Sequence, residues 1–483
     1  MYTISNKLKT FAFLLMALGL IGIAYGFLST PKTTEEVEKM LADSHHGGHH
    51  TEAHVNHNES TAAAHETHHA AEAVTNNTVA GETKDSLVTA TSAPVQEVKT
   101  TPVVDEHKAH QEHLEHVLHQ LQNKPWAAVY VAALFFMLIS LGVLVFYAIQ
   151  MVSQAGWSPV LFRVMQGISS YLPVGSAIFF ILLLLSAFHV NHLFVWMDAD
   201  LLNPASPKYD KLLAGKSGYL NEYFWLFRAA IFILGWNFYR YITRKKCLAQ
   251  DEASDNSFYK SNFKWSAGFL VFFIVSESIM SWDWIMSVDP HWFSTLFGWY
   301  VFASFFVSGI TVICLTTLYL KSKGYLEHVN TSHIHDLAKF MFGISIFWTY
   351  LWFSQFMLIW YSNIPEEVTY FITRIEQYNL PFFGMVAMNF LFPLLILINT
   401  DFKRITWILV MAGVVILAGH YIDFFNMIMP ATVGDQWFIG VAEIGALLFF
   451  FGLFLLVVFT SLTKVPLLPK RNPFIEESKH FHY

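Results

Sequence analysis

Cysteine is nearly absent from this chain: Cys247 and Cys314 are the only two among 483 residues. Two cysteines supply neither a disulfide framework nor the ligand spacing of an iron–sulfur cluster or a covalently attached haem. Most redox centres that act near this chain must therefore belong to other proteins. We expect Cys247 in a loop between helices and Cys314 in the middle of an apolar helix.

Charge is also scarce, with 13% Asp, Glu, Lys and Arg against 54% hydrophobic and 17% aromatic residues. A soluble domain of this size does not tolerate such a composition. The net charge of −7 is mild and indicates no nucleic-acid partner. Alternating ten-residue strands, the signature of a membrane barrel, are absent. The composition therefore predicts a helical protein embedded in a lipid bilayer.

Ten apolar runs are long enough to cross about 30 Å of hydrocarbon as helices. They are Phe11–Leu28, Trp126–Met151, Tyr171–Trp196, Tyr223–Ile242, Trp265–Ser287, Phe293–Leu320, Leu337–Tyr361, Pro381–Asn399, Ile405–Ile428 and Trp437–Leu462. The first run is longer than the apolar core of a signal peptide and lacks a convincing cleavage site, so we expect a retained helix. The predicted fold class is an all-α membrane protein with two four-helix bundles and two flanking helices.

These runs divide the chain into five segments. They are a first transmembrane helix over 1–30, a long loop over 31–124, two bundles over 125–290 and 291–430, and a tenth helix with a tail over 431–483. Lys and Arg gather on the side that receives both termini, whereas the opposite short loops hold only Lys208, Lys211, Lys216 and Arg374. Positive charge marks the cytoplasmic side. We therefore predict a multi-pass protein with both termini in the cytoplasm and the long loop in the periplasm.

The loop over 29–124 contains fourteen of the 23 histidines. Its low apolar content predicts disorder over Thr51–Pro102. The histidines fit either a contact with a metal or a haem-bearing partner, or a solvated tether, and clusters without fixed geometry favour the tether. Over 105–121, apolar residues recur at i, i+3, i+4 and i+7, which predicts an amphipathic helix against the membrane surface or a partner.

A short pattern occurs twice along the chain. Asp283 precedes Pro290 by seven residues on the fifth run, and Asp423 precedes Pro430 by the same interval on the ninth. Four spans separate the two copies, as a parallel repeat of two four-helix units requires. The pattern supports the division into two bundles.

Seven ionisable side chains inside the predicted spans are candidates for a functional role, because a charge there is costly and rarely idle. They are His189 on span three, Arg228 on span four, Glu277 and Asp283 on span five, His420 and Asp423 on span nine, and Glu443 on span ten, with His192 on the same face as His189. Carboxyl and imidazole groups in a low-dielectric medium titrate nearer neutrality, so they load and release protons. We predict a proton path, mostly in the periplasmic half. The alternative is that the acids only pair with Arg228 and with hydroxyls.

Axial ligation of haem b needs two histidines that face each other, and only His189 and His420 lie at a suitable depth. Haem-carrying membrane cytochromes have several matched pairs, so we predict no haem and no metal bound by this chain. A quinone ring would stack on the aromatic run over 347–361, although ordinary packing explains those residues better.

Two long segments carry a family resemblance: SESIMSWDWIMSVDPHWFSTLFGWY (276–300) and FWTYLWFSQFMLIWYSNIPEE (347–367). They resemble the second quinone-binding-type membrane subunit of alternative complex III, a bacterial quinol:cytochrome c oxidoreductase. The resemblance extends over all spans. It implies a fold like that of the polysulfide reductase membrane subunit, and a place in the bacterial inner membrane.

The resemblance also implies partners that carry the redox centres. These are an iron–sulfur subunit, haem c subunits, a related membrane subunit that is the better candidate for quinol oxidation, and often a haem–copper oxidase. In this chain, His189, Glu277, Asp283, His420, Asp423 and Glu443 would then belong to a proton path. Two other functions stay open: a stand-alone proton-coupled transporter and a structural anchor of a redox complex.

Overall fold

The computed structural model of the protein describes residues 2–46 and 104–482, which are helical and contain no strand. The helices are α1 (Asn6–Leu28), α2 (Thr34–His46), α3 (Val104–Val152), α4 (Phe162–Ile168), α5 (Leu172–Ala187), α6 (Ala199–Leu202), α7 (Lys211–Lys216), α8 (Glu222–Gln250), α9 (Ser257–Trp284), α10 (Phe297–Ser322), α11 (Thr331–Ser362), α12 (Pro365–Glu376), α13 (Asn379–Val386), α14 (Phe392–Leu397), α15 (Thr406–Val433), α16 (Val441–Leu462) and α17 (Ile475–Lys479). A π-helical segment, Ala387–Leu391, joins α13 to α14. Of the described residues, 34–46 and 104–115 are assigned to one unit, and 2–33 and 116–482 to another.

Nine helical segments of the described ranges are long and apolar enough to cross a membrane, as expected of a multi-pass membrane protein. They are Asn6–Leu28, His110–Val152, Pro159–Ala187, Ser257–Val288, Phe297–Ser322, Thr331–Ser362, Asn379–Leu397, Thr406–Val433 and Val441–Leu462. The predicted fourth span is not among them. It corresponds to α8, whose 29 residues suffice in length but include arginines and lysines that lower its mean hydropathy.

The core of the larger unit is built on α3 and α10. In their most apolar stretches, 94% of α3 and 83% of α10 is buried, because both are apolar on all sides. The two backbones approach closely where both helices carry glycine. A Cβ on Gly142 would lie 2.7 Å from the carbonyl oxygen of Phe305, and one on Gly309 would lie 3.0 Å from the amide nitrogen of Val143. Small residues at this crossing therefore set the distance between the two helices.

The first helix, α1, packs along α16. A Cβ on Gly22 would lie 2.9 Å from the Cα of Gly445, and one on Gly445 would meet the Gly22 backbone at 2.8 Å. Because neither residue has a side chain, the two backbones come close enough for extensive van der Waals contact. Such packing stabilises helix pairs within lipid, where the hydrophobic effect does not drive them together. The first apolar run is thus packed against the last one.

Pro173 interrupts the apolar segment Pro159–Ala187, and an arginine bonds the backbone there. Pro173 has no N–H, so it cannot bond the carbonyl of Ser169, four residues earlier. That carbonyl oxygen accepts from the backbone N–H of Leu172 in a 3₁₀ turn and also from the Nε of Arg240 at 3.1 Å. The chain between α4 and α5 tightens to a 3₁₀ turn at Ser169–Tyr171. The candidate span Pro159–Ala187 is therefore an interrupted helix, and the predicted third span begins at the interruption.

Three predictions for this part of the chain need correction or stay open. Cys247 lies near the end of α8 and is buried, so it is not in a loop. The amphipathic segment over 105–121 is helical, but it is continuous with the following span as one helix of 49 residues, α3. The disorder predicted over Thr51–Pro102 lies outside the described residues.

Candidate functional site

The first Asp–Pro pattern contains a buried ion pair. The carboxylate of Asp283 on α9 accepts from Arg228 on α8, with the Nε at 2.6 Å from Oδ2 and an Nη at 3.0 Å from Oδ1. Asp283 has no exposed surface and Arg228 has 6%. The guanidinium also stacks against Tyr219 and Phe224, whose ring centroids lie 4.1 and 4.2 Å from its central carbon.

This geometry assigns Asp283 a structural role. A planar guanidinium that donates to both carboxylate oxygens gives the strongest type of ion pair, and it neutralises the acid directly. The backbone is satisfied as well, because Trp225 Nε1 and Ser287 Oγ donate to the Asp283 carbonyl at 2.8 and 2.6 Å. Asp283 thus pairs with Arg228 on the neighbouring helix, which was the alternative to a role in the proton path.

The second Asp–Pro pattern has a different environment. Asp423 on α15 is fully buried and accepts hydrogen bonds from uncharged donors on two other helices. Tyr300 OH donates to one carboxylate oxygen, and Ser304 Oγ and Trp348 Nε1 each donate to the other at 2.8 Å. In the part of the chain that the structure covers, no lysine or arginine nitrogen lies within 4.0 Å of this carboxylate. Asp423 is thus held by neutral groups in the bundle interior.

A histidine lies beside Asp423, one helical turn earlier. The Nδ1 of His420 lies 2.9 Å from Ser304 Oγ and 3.6 Å from Asp423 Oδ2. Because the single Ser304 proton points to Asp423, the proton between the serine and the imidazole belongs to His420 Nδ1 when the Asn389 amide, 3.4 Å from Nδ1, turns its unpartnered oxygen toward the ring. In the neutral ring Nε2 is then a bare acceptor, and it is buried without a hydrogen-bond partner. His420, Ser304 and Asp423 form a continuous hydrogen-bonded chain.

The next turn of α15 is shaped by Pro430. Proline cannot donate to the carbonyl of Asn426, four residues earlier, so that oxygen is left without its helical partner. The Nε of Arg374, on α12, donates to it at 3.0 Å. Arg374 is 4% exposed and its guanidinium lies 3.3 Å from the ring centroid of Tyr370. Arg374 thus lies in the connection between two candidate spans, as predicted, but it is buried there and helical.

A small cavity lies between Tyr300 and Arg374. Its volume is about 10 Å³, close to what one water molecule needs. Three polar atoms of its lining are buried without a hydrogen-bond partner: the donors Trp352 Nε1 and Gln355 Nε2, and the acceptor Asn426 Oδ1. One water accepts two hydrogen bonds and donates another, so its bonding capacity matches these three atoms.

Tyr370 in the same lining belongs to α12, outside the candidate spans. Burial raises the pKa of its phenol, and the neighbouring Arg374 only partly offsets this effect. The phenol therefore stays protonated and supplies a hydrogen-bond donor at the cavity.

Two other predicted acids are buried but separate from Asp423. Glu277 bonds only with serines of its own helix among the described residues, at 3.0 Å to Ser281 and 3.4 Å to Ser278. Glu443 closes the start of α16, where its Oε2 accepts from the backbone N–H of Gly440 at 2.8 Å. Its Oε1 lies 4.0 Å from Lys124 Nζ. Glu443 is therefore a helix-capping residue with a cation nearby.

The prediction for His189 and His192 is wrong. Helix α5 ends at Ala187, and His189 follows it in the left-handed region, with φ of 55°. The pair therefore does not share a helix face. His189 is exposed, and its Nε2 lies 3.3 Å from Glu222. It is therefore not part of the buried cluster around Asp423.

Sequence reasoning missed the groups that surround Asp423. Tyr300, Ser304 and Trp348 lie in or near the quoted segments, but their hydroxyl and indole groups are ordinary in an aromatic membrane chain. Helical spacing offered one usable signal, because Tyr300 and Ser304 lie four residues apart and share a face. Nothing in the sequence indicates that this face meets Asp423.

No metal centre was found among residues 2–46 and 104–482, where no three His, Cys, Asp or Glu side chains converge as a metal ion requires. Comparison of the chain with models of protein families and with curated proteins finds no match in either case. The arguments about function therefore depend on the residues themselves.

Proposed function

We propose that this chain is a membrane subunit of a respiratory quinol:cytochrome c oxidoreductase of the alternative complex III type, and that it conducts protons through the cluster around Asp423. The observation that carries the proton-conducting role is a fully buried carboxylate bonded only to neutral donors, with an imidazole one turn away. The complex, with its iron–sulfur and haem c subunits, its related membrane subunit and, in some cases, a haem–copper oxidase, is proposed from the two long segments.

The order of hydrogen bonds supports a route for the proton. A proton taken up at His420 Nε2 releases the Nδ1 proton to Ser304, which passes its own proton to Asp423. Tyr300 bonds Asp423 and also lines the water-sized cavity, so it connects the carboxylate to water there. The transfers from His420 Nδ1 to Ser304 and from Ser304 to Asp423 take place between groups already in hydrogen-bond contact, whereas Nε2 has no partner among the described residues and takes its proton from outside this cluster.

The cavity size separates this site from quinol oxidation. A volume of about 10 Å³ accepts one water, whereas pockets for small organic molecules are about 300–1,000 Å³. We therefore place quinol oxidation in the related membrane subunit and give this chain the discharge of protons. The chain then acts as part of an enzyme and has no redox centre of its own.

The topology that we propose has ten transmembrane helices: the nine candidate spans and α8, which is the fourth in chain order. At 1.5 Å per residue, α8 is about 43 Å long, enough to cross the bilayer. Its buried Arg228 is neutralised by Asp283, which lowers the cost of insertion. Two four-helix bundles, flanked by α1 and α16, would lie in a bacterial inner membrane with both termini in the cytoplasm.

The test compares Asp423→Asn with Asp283→Asn in the complex purified with its partners and reconstituted in vesicles. We expect Asp423→Asn to fold and to lower quinol-driven proton release about a hundredfold, the usual contribution of a positioned acid or base. Asp283→Asn should reduce yield and stability but leave proton release per folded complex unchanged. Normal release from Asp423→Asn would refute the relay.

A structural anchor without chemistry is the second candidate, and the Arg228–Asp283 pair favours it. An anchor predicts that every buried acid is neutralised by a direct partner, which Asp423 is not. A stand-alone transporter would need helix interruptions at corresponding places in the two bundles. The interruptions at Ser169–Tyr171 and Ala387–Leu391 fall on the second helix of one proposed bundle and the third of the other, so they do not correspond.

A further inference from the structure

An apolar groove lies between α15 and α16, and parts of α3 and α10 form its floor. Its volume is about 520 Å³, within the range of pockets that hold small organic molecules. Of the residues that line it, only Tyr421 and Glu443 carry polar side-chain atoms. It is separate from the cluster around Asp423, since the two linings have no residue in common.

The groove has one polar end. Glu443 lies in the first turn of α16, and the lining continues along that helix to Phe454, about 16 Å further at 1.5 Å per residue. Glu443 is 3% exposed and its Oε1 has no hydrogen-bond partner. The nearest cation, Lys124 Nζ, lies 4.0 Å away, beyond hydrogen-bond distance. A ligand here meets an acceptor at its head and, apart from the Tyr421 hydroxyl, hydrocarbon along its body.

We propose that this groove binds one phospholipid with a phosphoethanolamine head group, with an acyl chain along α15 and α16 and the ammonium on Glu443. The ammonium donates N–H bonds to Oε1, and the phosphate lies toward Lys124, so both charges of the head group find a partner. Phosphatidylglycerol has no cation for Glu443. The cation of phosphatidylcholine has no N–H to donate.

The depth of the groove favours an acyl chain over a quinol ring. A quinol carries hydroxyls on opposite sides of its ring, and burial of one without a partner costs free energy. The groove provides the Glu443 carboxylate at one end and the Tyr421 hydroxyl on α15, but its floor, built of Ile139, Val312 and Leu315, has no polar side-chain atom. A saturated or monounsaturated chain has no polar atom to satisfy at that depth.

The experiment measures lipid retention by the full-length chain, purified with whatever partners accompany it. The protein is stripped of lipid, exchanged into micelles with equal amounts of phosphatidylethanolamine, phosphatidylcholine and phosphatidylglycerol, and analysed by native mass spectrometry. We expect about a tenfold preference for phosphatidylethanolamine, the effect of one hydrogen bond to a charged group. Equal retention of the three lipids, or displacement of phosphatidylethanolamine by an equimolar quinol, would overturn the proposal.

Two variants and a control locate the site. Glu443→Gln keeps the helix cap, because glutamine also serves at this position, and should reduce the preference to near unity. Ala418→Phe fills the groove and should abolish retention, whereas the matched Ala17→Phe, on an exposed position of α1, should retain lipid as the wild type does. Retention by Ala418→Phe equal to that of Ala17→Phe would place the lipid elsewhere.

Discussion

Asp283 and Asp423 occupy the same place in a repeated pattern, seven residues before a proline, yet their surroundings differ. Asp283 is held by both arms of an arginine, and Asp423 by a phenol, a hydroxyl and an indole. Asp283 is therefore neutralised by a cation, whereas Asp423 has only neutral donors and a neighbouring imidazole. Burial alone therefore does not assign a functional role to an acid in a membrane helix. The charge of its direct partner does.

The largest effect that we expect comes from Arg228→Met, which leaves Asp283 buried and unpaired. Removal of one partner of a buried ion pair costs about 3–5 kcal/mol of stability. The double variant Arg228→Met/Asp283→Leu removes both charges and should recover most of that loss. The measurement is unfolding of the purified protein in mixed micelles by a denaturing detergent. If the double variant is as unstable as the single one, packing of Arg228 against Tyr219 and Phe224 matters more than the charge pair.

A smaller effect is expected from Arg374→Met, because Arg374 bonds backbone carbonyls and not a carboxylate. The buried Asn426 oxygen loses its donor, at a cost of about 1–3 kcal/mol. Pro430→Ala restores the N–H that this oxygen lacks, so Arg374→Met should cost less in that background. Unfolding of the two single variants and the double variant measures the coupling.

Pro290 provides the matched control for this cycle. Helix α9 ends at Trp284, before Pro290, so the missing N–H of that proline leaves no carbonyl of α9 without a helical donor. Pro290→Ala should therefore leave the cost of Arg228→Met unchanged. An equal coupling in both cycles would show that the arginine at Asn426 does not compensate for the proline.

The smallest effect is expected at an exposed pair, Asp210 and His291. The hydrogen bond from His291 (2.5 Å) is the main cause that lowers the Asp210 pKa below its ordinary value, and the Leu213 amide adds to it. A carboxyl whose pKa falls on folding stabilises the protein above its unfolded pKa of about 4, and this is lost as pH falls through the folded value. Asp210→Asn should cost less than about 1 kcal/mol at pH 7 and nothing near pH 2. A pH-independent cost would assign the effect to the cap of α7 alone.

The helical membrane class and most spans were predictable, because apolar runs of sufficient length leave few alternatives in lipid. The boundaries were less so. The third run was expected to continue to Trp196, but its helix ends at Ala187, and aromatic residues such as Trp196 then pack in a loop. The predicted fourth span, α8, remains a prediction as a membrane crossing, because its arginines and lysines make it less apolar than the others.

The candidate site was predictable only in part. His420 and Asp423 share a helix face by their spacing, so their proximity follows from the sequence alone. Arg374 was expected in a short connection between spans, and its burial against a carbonyl that proline leaves without a helical donor was not predicted. His189 was placed in a helix that ends before it. Both cases concern side chains whose partners come from distant parts of the chain.

The sequence by itself determined where apolar helices form, where prolines interrupt them and which residues carry charge into them, because these properties depend on neighbours within a few turns. Only the tertiary structure decided that Arg228 meets Asp283 and that Tyr300, Ser304 and Trp348 meet Asp423. Those contacts join helices more than fifty residues apart, and the pKa and proton affinity of a buried acid depend on the groups packed around it.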